Sequence, residues 1–172
     1  RRGLLGGVVI SGGEPTLQKD LPDFIEKVYA MGYRVKLDTN GSRPDALSAL
    51  LDTGMLDYVA MDVKAPLDKY AATTGVEADT DSIRKSIGVL RSTGVAHEFR
   101  TTFVPTLNPD DIHNIARLIE GAQLYALQQY RKPAVTKPDN PCSGLTAHTP
   151  DVFKEAVRLA SPHVHKCIVR GI

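Results

Sequence analysis

Tryptophan is absent from this chain of 172 residues, cysteine occurs twice, and neither sign of charge dominates, with Lys+Arg 21 against Asp+Glu 20. A formal charge of +1 leaves no excess of basic groups to drive sequence-independent binding to phosphate backbones, so nucleic acid is not expected as the main partner. No apolar run approaches the roughly 20 residues that cross a bilayer, and the N-terminal residues lack the apolar core of a secretion signal. A cytoplasmic chain with no membrane partner is therefore expected. Cys142 and Cys167 are too few and too far apart for a disulfide framework or a zinc site. They read as two idle thiols, Cys142 an exposed one in the loop Pro141-Cys142-Ser143-Gly144. What the chain does have is 42% hydrophobic residues, enough at this length for the core of one domain spanning residues 1–172.

Short β-branched runs alternate with amphipathic stretches, the pattern of βα units on a parallel sheet. The first strand is expected at Gly7-Val8-Val9-Ile10-Ser11, then a helix from Asp20 to Met31 with Leu21, Phe24, Ile25 and Val28 on one face and Gly32 as its stop. A second strand, Arg34 to Asp38, precedes a helix that Ser42 caps, carrying Leu47, Leu50 and Leu51 and ended by Gly54. A third strand, Tyr58 to Val63, leads into a broken helical region that resumes at Asp81, with Ile83, Ile87 and Leu90 inward. The fourth strand, Glu98 to Val104, a helix opened by Asn108-Pro109 and a fifth strand, Leu124 to Tyr130, follow. Arg131 to His148 is irregular, ahead of a helix opened by Thr149-Pro150 and a last strand, Val164 to Val169. No linker or repeat divides the series. It can close as a barrel or stay open as a doubly wound sheet, and both architectures bind ligands at the C-terminal ends of their strands.

Polar residues gather where the strands should stop. Ser11-Gly12-Gly13-Glu14-Pro15-Thr16 follows the first strand, Asp38-Thr39-Asn40-Gly41 the second and Asp62-Val63-Lys64 the third. The fourth strand contains Arg100-Thr101-Thr102, and the fifth Gln128, Gln129 and Arg131. Any one of these alone reads more readily as an ordinary turn, since Gly, Asn and Asp favour loops for backbone reasons. Five on one rim, with three acids and three bases, suit a zwitterionic ligand.

Gly12-Gly13-Glu14-Pro15 directly after a strand resembles the glycine-rich motif of radical S-adenosylmethionine enzymes. Asp38-Thr39-Asn40-Gly41, Met61-Asp62-Val63-Lys64 and Glu98-Phe99-Arg100-Thr101-Thr102 follow in the order seen in the activases of glycyl radical enzymes. Lys64-Ala65-Pro66 and Leu127-Gln128-Gln129-Tyr130-Arg131 are similar to the anaerobic ribonucleoside-triphosphate reductase activating proteins, and the resemblance runs from Gly7 to Arg131. It implies an α/β fold, a partial (β/α)6 barrel with parallel strands, here lacking the first strand and the cluster loop. It implies two cofactors, S-adenosylmethionine and a 4Fe-4S cluster, a low-potential electron donor, and a glycyl radical enzyme as the protein substrate. An electron from the cluster cleaves S-adenosylmethionine, and the resulting 5′-deoxyadenosyl radical takes a hydrogen atom from a glycine of the partner. Carried over by position, Gly12, Gly13 and Glu14 hold the ammonium end of S-adenosylmethionine, Pro15 and Asn40 are further cofactor-binding residues, and Lys64 and Arg100 face its carboxylate. Asp38, Thr39 and Asp62 are expected to hold a monovalent cation that relieves their like charges. Arg131 stands where related pyruvate formate-lyase activases carry a histidine, and is a further contact to the cofactor.

The resemblance also calls for Cys-x3-Cys-x2-Cys ahead of the glycine loop, yet the 11 residues before Gly12 contain no cysteine. Cys142 and Cys167 cannot replace three such ligands. Arg1 in place of a start methionine, with a strand beginning almost at once, reads as truncation; the chain alone is expected to be inactive, and its bare edge at Val8 to Ile10 to favour self-association. Two other readings stand beside the activase: a radical S-adenosylmethionine enzyme acting on a small molecule, as in deazaguanine biosynthesis, and a non-catalytic binding module. His163 and His165 would share one face of the last strand, but no acid lies close in sequence to complete a metal site.

Overall fold

The computed structural model describes residues 5–132, 142 and 144–172. Most of the expected irregular stretch after Arg131 therefore lies outside the described residues. Along the chain run β1 (Gly7–Ile10), α1 (Leu21–Ala30), β2 (Arg34–Thr39), α2 (Pro44–Asp52), β3 (Tyr58–Asp62), α3 (Tyr70–Thr74) and α4 (Thr80–Ser92). They continue with β4 (Ala96–Phe103), α5 (Pro109–Leu118), β5 (Tyr125–Gln129), α6 (Pro150–Ala160) and β6 (Cys167–Arg170). The six strands form one open sheet in the order β1-β2-β3-β4-β5-β6. The register is parallel for β1 on β2, β2 on β3, β4 on β5 and β5 on β6, as helical connections between neighbours require.

The chain divides into two compact units, Arg1–Asp62 with Asp81–His97, and Val63–Thr80 with Glu98–Ile172. In the first, Val35, Leu37 and Val59 on the strands are buried with Ile25 from α1, Leu47 and Leu50 from α2, and Ile87 and Leu90 from α4. In the second, Phe99, Phe103, Tyr125 and Leu127 are buried with Ile112 and Ile115 from α5 and Phe153 from α6. Phe103 and Phe153 meet edge to face, ring centres 5.2 Å apart. Asn108 opens α5 with a reciprocal capping box: its side chain accepts from Asp111 N–H and Asp111 Oδ2 accepts from Asn108 N–H, both at 3.0 Å.

Several expectations are corrected. Ser42 does not cap α2; Pro44 fits the first turn, Arg43 takes the cap position, and Ser42 N–H instead donates to Asn40 Oδ1 at 2.9 Å, closing a tight turn. Phe24 shares a helical face with Ile25 only loosely and is 47% exposed. Cys142 is buried rather than displayed on a loop. His163 and His165 precede β6 and do not share a strand face; His163 lies in the turn Ser161–His163, its Nδ1 3.3 Å from Glu120 Oε1.

Candidate functional site

In the first unit the site begins with two bare residues. Gly12 (φ +105°) and Gly13 (φ +52°) follow β1 in a conformation that side chains disfavour, and no atom lies within 4 Å of where a Cβ would be. The loop thus presents unshielded main chain to open space. Behind it Glu14 is buried, its Oε1 accepting from Thr16 N–H at 3.1 Å, Thr16 Oγ1 at 2.6 Å and Thr39 Oγ1 at 2.9 Å. Its Oε2 accepts from Asn40 N–H at 2.6 Å. The carboxylate accordingly ties the glycine loop to the end of β2, and any contact of Glu14 with a cofactor ammonium falls to its main chain. Pro15 opens the short turn Pro15–Leu17 and is buried beside this clamp. Ser86 of α4 fixes the second loop, donating from Oγ to Gly41 O at 2.7 Å.

Alternation along β2 separates the remaining residues. Val35, Leu37 and Thr39 are buried on one face, and Lys36 and Asp38 are half-buried on the other. Lys36 pairs with Tyr58 and Asp38 with Ala60, so Asp62, two residues beyond Ala60, joins the face of Asp38. Thr39 does not: its hydroxyl faces Glu14 and accepts from Gly41 N–H at 3.1 Å. The expected trio of Asp38, Thr39 and Asp62 side chains is therefore reduced to the two acids. A residue the sequence reading passed over lies among them, since Lys36 Nζ is 3.3 Å from Asp38 Oδ1 and 5.5 Å from the centre of the Tyr58 ring. Its spacing of two from Asp38 was the available signal.

In the second unit Lys64 follows β3 with an exposed side chain, and Arg100 is half-buried in mid-β4, opposite Ala126 of β5. Thr102, Gln128 and Arg170 are aligned further along the same face. Arg170 also reaches Glu98, donating to its two carboxylate oxygens at 3.0 and 2.6 Å; Glu98 is 2% exposed, so this bidentate pair ties β4 to β6. Arg131 is exposed just past the end of β5. Buried nearby in sequence, Gln129 Oε1 and Tyr130 OH have no hydrogen-bond partner among the described residues.

Taken unit by unit, the bare main chain of the glycine loop suits an ammonium group, and Lys64 and Arg100 suit a carboxylate. The donor set for an iron–sulfur cluster does not fit. Among the described residues no three His, Cys, Asp or Glu side chains converge as a metal site. Burial pushes the Cys167 thiol up to about 11, away from the thiolate that ligation needs. Among the described residues, no helix is long and apolar enough to cross a membrane.

The sequence profile of the radical SAM superfamily matches residues 1–119. The chain belongs to that superfamily. Its enzymes use S-adenosylmethionine and an iron–sulfur cluster, and the open parallel sheet matches the expected partial barrel. A candidate glycyl-radical enzyme activating enzyme of Methanocaldococcus jannaschii is 36% identical over 96% of this radical SAM chain and 70% of its own length. A 7-carboxy-7-deazaguanine synthase of Methanopyrus kandleri is 43% identical over 36% of this chain and 24% of its own. Among solved structures, a domain of pyruvate-formate lyase-activating enzyme from Bacteroides vulgatus superposes with a TM-score of 0.73 at 16% identity, covering 96% of this chain and 99% of that one. That likeness establishes the fold.

Proposed function

We propose that this chain is the S-adenosylmethionine-binding part of a radical SAM activating enzyme whose product is a glycyl radical on a partner enzyme. The observation that carries the reading is the similarity to the activating enzyme along nearly the whole chain, whereas similarity to the deazaguanine synthase is confined to about a third of it. In this reading the main chain of Gly12, Gly13 and Glu14 receives the cofactor's ammonium group, and Lys64 and Arg100 its carboxylate. Pro15 and Asn40 hold the loops, and Arg131 is an outer contact. Asp38 and Asp62 attract a monovalent cation, with Lys36 supplying part of the same charge compensation. S-adenosylmethionine supplies the radical chemistry when bound; the chain's residues orient it and limit its access to water. An anaerobic ribonucleotide reductase is the partner class that the motifs favour, and the site belongs to a single working domain.

The full-length protein, incubated without oxygen with S-adenosylmethionine, a low-potential reductant and such a reductase, should give a glycyl radical signal on the reductase by electron paramagnetic resonance. Replacing potassium by a large organic cation should lower that signal. Cleavage of S-adenosylmethionine coupled to turnover of a small molecule, with no radical on any protein partner, would establish the alternative.

A further inference from the structure

Lys64 stands two residues beyond the end of β3, so its place depends on how Val63 is held. Val63 N–H donates to Arg100 O at 2.8 Å. Val63 O accepts from Thr101 Oγ1 at 2.6 Å, and Thr101 Oγ1 accepts in turn from Tyr125 OH at 2.9 Å. Lys64 N–H meets the buried Tyr70 hydroxyl at 3.3 Å. Thr101 and Tyr125 are 1% and 0% exposed, and strand alternation puts them on the face opposite Arg100. They sit among Phe99, Phe103 and Leu127, where valine and phenylalanine would fill nearly the same space without polar atoms. A two-hydroxyl chain in such a core is worth its desolvation only where its end point is fixed by it.

We propose that Tyr125 and Thr101 are positioning residues whose hydrogen-bond chain fixes Val63 and so seats Lys64, with Arg100, to receive the carboxylate of the cofactor's amino-acid moiety. The proposal rests on the reading of Lys64 and Arg100 given above. Burial holds the Tyr125 hydroxyl far above the ordinary tyrosine range, so it stays a protonated donor at any working pH.

Two ligands separate positioning from general stability. S-adenosylhomocysteine carries the carboxylate; 5′-methylthioadenosine shares the nucleoside but lacks the amino-acid group. In calorimetric titrations of the full-length protein, Thr101→Val and Tyr125→Phe should weaken S-adenosylhomocysteine about tenfold, leave methylthioadenosine unchanged, and Thr101→Ser should bind as wild type. Tyr125→Phe removes a single oxygen and carries the comparison if Thr101→Val does not fold. Equal weakening of both ligands, or of neither, overturns the proposal. Lys64→Ala distinguishes the two failures. If it too fails to discriminate between the ligands, the carboxylate reading is wrong; if it discriminates while the hydroxyl variants do not, only the positioning role is lost.

Discussion

Glu14 shows how one side chain can be motif and scaffold at once. Its carboxylate accepts four hydrogen bonds from Thr16, Thr39 and Asn40, joining two loops that are 25 or so residues apart in sequence. Glu14→Gln keeps the shape but turns an amide N–H₂ toward a donor, and should cost about 2 kcal/mol in chemical denaturation. Thr39→Val, which removes one donor from the same carboxylate, should cost about 1 kcal/mol. The importance of Glu14 was legible in the sequence, but not its role: a motif shows that a carboxylate is required without showing which donors surround it. Lys36 is easily overlooked for a related reason: its spacing of two from Asp38 is a signal, but a lysine on a half-buried strand usually reads as a solvated one. Cys167 gives a prediction with a sign. Because burial raises its thiol to about 11, alkylation by iodoacetamide at pH 8 should run more than about tenfold slower than for an exposed cysteine and speed up as pH rises. A rate equal to that of free cysteine would contradict the described burial.

At the scale of elements, each strand among the described residues was locatable from the sequence to within a few residues, because β-branched runs and glycine stops are local signals. Boundaries failed where tertiary context decided them. Pro44 displaced Ser42 at the start of α2, and the last strand begins at Cys167 rather than Val164. Asn108 was readable because its capping box is contained within four residues; Asn108→Ala should cost about 1 kcal/mol by denaturant unfolding, with Asn108→Asp close to wild type. The turn after β2 is more constrained. Gly41 has φ +74°, its carbonyl is held by Ser86, and a Cβ there would overlap Met61 Cε in the core. Gly41→Ala should therefore destabilise by about 2 kcal/mol, where the same change at Gly88, which has open space around it, should be nearly neutral or stabilising.

For the molecule as a whole, β1 ends the sheet, paired with β2 alone among the described strands, and Val9 on it is 57% exposed. An edge strand carrying an exposed apolar residue favours association, so these 172 residues should exceed monomer mass by light scattering, and Val9→Lys should shift them toward the monomer. A monomer before the substitution would refute the inference. The fold could be anticipated from alternation alone, whereas open sheet and closed barrel could not be told apart that way, because both repeat the same βα unit. The family came from motifs at strand ends, and the missing cluster ligands from a simple count of cysteines. The central claim is that these strand ends bind S-adenosylmethionine, and titrating that cofactor into the chain tests it most directly. Saturable one-site binding, weakened about tenfold or more by Lys64→Ala or Arg100→Ala, is the predicted result; no binding, or binding indifferent to both substitutions, would contradict it.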